Sequence, residues 1–110
     1  MIYSGNDDQI LPVLSLGGIG VISVLSNIAP KQTHDIVHKF LCGNILESTK
    51  MQLDALNLIK NLFSETNPIP VKYALNLIGY NFGTPRLPLV ELSDNLKEKL
   101  KLEMKSYGIL

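Results

Sequence analysis

A chain of 110 residues, 45% of them hydrophobic, is long enough for one core and too short for two ordinary domains. Its ten basic and ten acidic side chains cancel, and without a cationic run this balance speaks against nucleic acid or an anionic membrane surface as a partner. The apolar run from Ile10 is broken by Pro12, Ser15 and a glycine turn, too soon for a membrane span. Met1-Ile2-Tyr3 passes straight into polar Ser4-Gly5-Asn6-Asp7-Asp8 with no leader-like segment, and the single cysteine, Cys42, cannot form an internal disulfide. Together these features predict a cytoplasmic protein.

Ile2-Tyr3 reads as the end of a strand. Asn6 can cap a helix, with Asp7 and Asp8 favoured in its first turn by the helix dipole and Gln9 at the capping-box position. Ile10, Leu11, Val13, Leu14 and Leu16 supply its apolar face, and Pro12, beyond the first turn of a helix begun at Asn6, is expected to remove a hydrogen bond or bend it. Gly17-Gly18-Ile19-Gly20 then leads into Val21-Ile22-Ser23-Val24, a β-branched run that predicts a strand buried on both faces. A phosphate-binding loop has the opposite order, strand before glycines, and neither GxGxxG nor GxxxxGK[ST] spacing is present. The glycines therefore predict a helix-to-strand turn with positive φ and close approach of helix to sheet. Strand, helix, strand in one sheet means a parallel crossover.

From Pro30 the period becomes helical. Ile36, Val37, Phe40 and Leu41 form a stripe that stops at Gly43, and Asn44 caps a longer helix over residues 45–63. That helix carries two stripes, Met51, Ala55, Leu58, Leu62 and Leu56, Ile59, Phe63, so it needs neighbours on more than one side. Asn67-Pro68-Ile69-Pro70 is a rigid turn before a short helix over residues 71–78, ended by Gly79. Residues 80–92, with Gly83, Pro85 and Pro88, read as an extended connector. Ser93 caps a last helix with Leu96, Leu100, Met104 and Tyr107 on one face, Lys97, Lys101 and Lys105 on a solvated face, and Gly108 as its stop.

His34-Asp35-Ile36-Val37-His38 has the imidazole spacing of a zinc-protease helix, but Asp35 stands where that motif needs Glu. His34 and Cys42 would lie about 12 Å apart along the axis, out of reach of one metal. Partly exposed histidines and a buried thiol are expected instead. Adjacent Asp7 and Asp8 point different ways, which favours capping over paired acid–base chemistry. Lys72 follows a proline-rich turn, but nothing marks the apolar pocket that an amine nucleophile needs, so it reads as a surface lysine.

Ser4-Gly5-Asn6-Asp7, Gly17-Gly18-Ile19-Gly20-Val21-Ile22-Ser23-Val24, Asn67-Pro68-Ile69-Pro70-Val71-Lys72 and Arg86-Leu87-Pro88-Leu89 together resemble the C-terminal part of the dihydrodipicolinate synthase family, within the N-acetylneuraminate lyase superfamily. Asn6 departs from the family, where an acidic residue is common. The resemblance implies an α/β fold, the C-terminal part of a (β/α)8 TIM barrel, with residues 1–29 as strand seven, a helix and strand eight, and residues 30–110 as the last barrel helix and a C-terminal helical region. It implies a lyase that condenses pyruvate with aspartate semialdehyde in lysine biosynthesis. No cofactor or metal is expected. Pyruvate would be held as a Schiff base on a strand-six lysine, with tyrosines relaying protons and an arginine binding a carboxylate, all upstream of Met1. Lys72 and Tyr73 match none of these, so no catalytic residue is assigned. Gly5, through its main chain, and Ile22, through its carbonyl and side chain, would line the pyruvate pocket.

By itself such a chain is expected to be inactive. Two strands cannot close a barrel, so they are expected either to pair with another copy in a homo-oligomer or to rearrange over roughly the first 25 residues, while the helices form a bundle. A non-catalytic helical module for oligomerisation or partner binding is the alternative function.

Overall fold

The computed structural model describes residues 1–110 and divides them into two compact units, Met1–Leu56 and Asn57–Leu110. In the first, β1 (Tyr3–Ser4) and β2 (Gly20–Val21) pair in parallel, Tyr3 opposite Gly20 and Ser4 opposite Val21. One further bond flanks each end: the Ile19 N–H donates to Ile2 O at 2.9 Å and the Ile22 N–H to Ser4 O at 2.8 Å. The two strands thus pair with each other within one chain, and the N-terminal segment keeps its strand, helix, strand order rather than rearranging.

The crossover is a 3-10 turn (Asp7–Gln9) running into α1 (Ile10–Ser15). Because the α-helix begins only at Ile10, Pro12 falls in its first turn, where N–H groups have no partner within the helix. The hydrogen bond it was expected to remove does not exist. Asn6 occupies the cap position with extended φ and ψ but makes no side-chain cap bond. The Ser4 hydroxyl instead holds the Asn6 main chain, accepting from the Asn6 N–H at 3.2 Å and donating to the Asn6 carbonyl at 2.7 Å.

At the other end of α1 the Gly17 N–H donates to Leu14 O at 3.1 Å and the Gly18 N–H to Val13 O at 2.9 Å, a Schellman closure with Gly17 at φ +95°. A Cβ on Gly18 would lie 2.5 Å from Val13 Cγ1 and 2.8 Å from the Val13 carbonyl oxygen. The predicted positive φ is realised at Gly17, while the close approach at Gly18 is to the last turn of α1 itself.

β2 is shorter than the predicted strand. After Val21 the chain leaves the ladder and winds into a 3-10 turn (Leu25–Asn27), leaving Ile22 70% exposed. A two-stranded sheet has open edges and too little cover to bury four residues on both faces.

Pro30 opens α2 (Pro30–Leu41), where it costs nothing. Ile36 of α2 meets Ile10 and Leu14 of α1, with Leu11, Val21, Val37, Phe40 and Met51 around them. Each such buried aliphatic side chain contributes about 1.5–3 kcal/mol. After Gly43 comes α3 (Ile45–Leu62), whose Ser48 hydroxyl donates to Ile36 O at 2.6 Å. Ala55, Leu58 and Leu62 of its first stripe are buried, but Phe63, one residue past the helix, is exposed. Near its start the Lys39 ammonium, 3.1 Å away, and the Asn44 amide, donating at 2.6 Å, hold the exposed Glu47 carboxyl below its ordinary pKa, Lys39 being the larger cause.

In the second unit α4 (Ile69–Leu77) packs on α5 (Asp94–Tyr107). α4 starts two residues before the predicted residue 71, because Pro68 precedes it and Pro70 fits its first turn. Residues 80–92 form no helix or strand, as predicted. Asn76 pins this connector, donating to Gly83 O and accepting from the Phe82 N–H, both at 3.0 Å. Leu92, Leu100 and Met104 are buried. Lys97 departs from the expected solvated face: its ammonium lies 3.7 Å from Glu91 and 5.5 Å from the centre of the Tyr73 ring.

Gly18→Ala is expected to destabilise the chain by about 1–3 kcal/mol, because the Val13 carbonyl is backbone and cannot step aside; the denaturant midpoint measures it. Glu47→Gln tests the exposed pair. A lowered folded pKa means stability present above the unfolded value and lost as pH falls through the folded value. The stability gap between parent and Glu47→Gln should therefore be constant near neutrality and close below the ordinary carboxylate range.

Candidate functional site

Parallel pairing brings the C-terminal ends of β1 and β2 to the same edge. With Ser4 opposite Val21, the next residues are Gly5 and Ile22, and the Ser4 carbonyl that receives the Ile22 N–H belongs to the peptide that continues into Gly5. The structure thus places the two predicted site residues side by side at the open end of the strand pair, both exposed. Gly5 has no packing reason to be glycine: its φ lies outside the left-handed region and a Cβ would meet nothing within 4 Å. What the bare backbone leaves there is room for another molecule to reach the main chain.

Below these two residues lies a polar clamp. Asp7 is 1% exposed, and its carboxylate accepts from the Ser23 hydroxyl, the Val24 N–H at 3.0 Å and the Leu25 N–H at 2.9 Å. The Ser23 oxygen in turn accepts from the Ser26 N–H at 2.9 Å. From α3, buried Gln52 donates to the Asp7 carbonyl at 2.9 Å and accepts from the Leu11 N–H at 3.3 Å. The loop after β1, the loop after β2 and α3 are thereby tied at one residue. Asp7 was expected only to favour the dipole of its own helix. Exposed Asp8, its neighbour, takes no part in the clamp. Nothing in the spacing of Asp7, Ser23 and Gln52 announces their meeting. The one legible trace is the Ser23/Ser26 pair, whose spacing suits a serine-closed turn.

The other candidates make no hydrogen bond to Gly5, Ile22 or Asp7. On α2 the His34 and His38 rings stack with centroids 5.3 Å apart, His34 Nδ1 lies 3.3 Å from Asp35, and His38 Nε2 lies 3.5 Å from Cys42 Sγ. Cys42 is exposed, not the buried thiol expected, because it follows the last helical residue where the chain turns out at Gly43. No three His, Cys, Asp or Glu side chains are grouped to hold a metal. An apolar groove of about 440 Å³ between the strand pair and α2, lined by Tyr3, Val21, Thr33, His34 and His38 among others, does not include Gly5 or Ile22. Lys72 and Tyr73 belong to α4 in the second unit. No helix is long and apolar enough to cross a membrane.

Residues 1–107 match the model of the dihydrodipicolinate synthetase family. A curated 4-hydroxy-tetrahydrodipicolinate synthase from Caldicellulosiruptor bescii is 58% identical over 108 residues, which are 98% of this chain and 37% of that protein. The solved dihydrodipicolinate synthase of Thermotoga maritima superposes on all of this chain and 37% of its own, with a TM-score of 0.97 at 46% identity. A chloride-inhibited dihydrodipicolinate synthase from Acinetobacter baumannii, solved with pyruvate, is 36% identical with a TM-score of 0.92 over 98% of this chain and 37% of its own. The chain spans a little over a third of the length of these relatives. Its architecture is that of the C-terminal part of a (β/α)8 TIM barrel, strands seven and eight with their helices, followed by a helical region.

Gln52→Leu keeps the volume of the clamp but leaves the Asp7 carbonyl and the Leu11 N–H without partners. It is expected to lower stability by about 1–3 kcal/mol, read as a shift of the denaturant midpoint.

Proposed function

Because the chain belongs to the dihydrodipicolinate synthetase family, we propose that it is the C-terminal portion of a cytoplasmic, pyruvate-dependent lyase of the aldolase type that condenses pyruvate with aspartate semialdehyde on the route to lysine. Residues 1–29 then form the closing end of the barrel and residues 30–110 its last helix and the trailing helical region. Gly5 offers its main chain, and Ile22 its carbonyl and side chain, to pyruvate. The observation that carries this reading is the juxtaposition of Gly5 and Ile22 just past two in-register parallel strands, the end of a βα barrel where its reactions take place.

The reaction needs an amine to hold the keto acid as an imine, which then accepts electrons as the new carbon–carbon bond forms. Neither Lys72 nor Tyr73, both on α4, stands at the strand ends that carry such chemistry in a barrel. The 110-residue chain is therefore inactive alone, and its contribution to the whole enzyme is a wall of the pocket. Exposed Ile2, Tyr3 and Ile22 leave apolar surface that the rest of a barrel, or a second copy in a homo-oligomer, covers.

Incubating the chain with pyruvate and reducing with borohydride should leave its mass unchanged; a covalent adduct would overturn its inactivity. Joined to the preceding segment of the Caldicellulosiruptor bescii relative, it should support turnover. In that joined enzyme Gly5→Ala should raise the KM for pyruvate roughly tenfold, about 1.4 kcal/mol, without moving the denaturant midpoint. Failure of the joined enzyme to turn over would favour the non-catalytic helical module, and an unchanged KM would remove Gly5 from the pocket.

A further inference from the structure

The Asp7 carboxylate carries more than a structural load requires. It is buried, no cation is paired with it, and all three of its hydrogen bonds go to residues 23–25 of the other strand's loop. A buried carboxylate without a cation is costly and is kept only when donors surround it. The place it holds decides the geometry of the pocket edge. Regular pairing ends at Val21, and the last backbone bond between the loops is the one from the Ile22 N–H to the Ser4 carbonyl. Past that bond no ladder fixes the Ile22 carbonyl. The next three residues are bonded within their own turn to residues 26–29, and the hydrogen bonds that tie them to the loop after β1 come from Asp7, which stands two residues after Gly5. Ile22 is thus held from both sides, by Ser4 on its own N–H and by Asp7 on its successors.

We infer that Asp7 is a positioning residue for keto-acid binding: it sets the Ile22 carbonyl against the Gly5 main chain, and Ser23 is the hydroxyl through which it does so. Gln52 steadies the same peptide from α3 by holding the Asp7 carbonyl. This rests on the placement of Gly5 and Ile22 in the pyruvate pocket proposed above. Asp7 touches no substrate; it acts through Ile22. Its loss should be felt as weaker binding rather than slower chemistry, because a displaced carbonyl costs the bound keto acid a contact without moving the amine that reacts.

Two measurements test this. In the 110-residue chain, Asp7→Asn should speed amide exchange at Val24 and Leu25 by roughly tenfold or more and shift the Ile22 amide resonance, leaving α5 unaffected. In the joined enzyme, Asp7→Asn should raise the KM for pyruvate roughly tenfold with kcat within about twofold. Gly18→Ala, which strains the opposite end of the strand pair, should cost stability without that split. Ser23→Ala removes one donor and should move KM the same way by less, which keeps the test alive if Asp7→Asn does not fold. An unchanged KM in both clamp variants, with Gly5→Ala still raising it, overturns the positioning role and leaves the pocket standing. Unchanged KM in all three overturns both. An unmoved Ile22 amide in Asp7→Asn overturns the positioning role on its own.

Discussion

A ladder of two residues per strand cannot hold itself together in water, and in the first unit it is supported by apolar packing of α1 and α2 and by one buried carboxylate. Asp7 joins the loops that leave β1 and β2, and through its main chain it is joined to α3. Around it the polar accounts close: Ser4, Ser48 and Gln52, all buried, each find partners, and no buried side-chain nitrogen or oxygen is left without one. Ile10, Leu14 and Ile36 form an apolar centre, and Leu25, Ile28 and Ala29 are buried as well. Hydrogen bonds from the loop after β2 to the Asp7 side chain, and from α3 to its carbonyl, add directional specificity to that apolar packing.

Much of this was legible in the residues. Order, parallel pairing and the glycine turn followed from Gly17 and Gly18 standing between a short apolar helix and a β-branched run, because those glycines have one local use there. Helices α2, α3 and α5 followed from stripes bounded by Pro30, Gly43, Asn44, Ser93 and Gly108, signals that act within a turn of the backbone. The proposed site residues came from the family resemblance rather than from spacing. Nothing about Gly5 or Ile22 alone separates a pocket wall from a turn glycine and a strand isoleucine.

What the residues did not disclose has two physical causes. Asp7 meets Ser23 at a separation of 16 positions and Gln52 at 45, and contacts at that separation are set by the crossover, not by any local pattern. The exposure of Ile22 and the brevity of β2 come from the sheet having two strands: a run that would be buried inside a larger parallel sheet has, here, nothing laid over it. Composition describes the environment a strand is suited to, and the chain present decides whether that environment exists. Pro12 shows a milder version, since the 3-10 turn before α1 shifted the helix start and made the proline harmless.

The register of the strand pair divides the chain by its tolerance of length change. Ser4 stands opposite Val21 and side chains in a strand alternate faces, so a one-residue slip of β2 against β1 would turn the side chains of β2 to the other face. Residues 80–92 carry no such register: they are held by Asn76 near Phe82 and Gly83, by Lys97 at Glu91 and by burial of Leu92. Lineages that lengthen or trim this protein should do so in that connector and leave the crossover at constant length, whatever substitutions both accumulate.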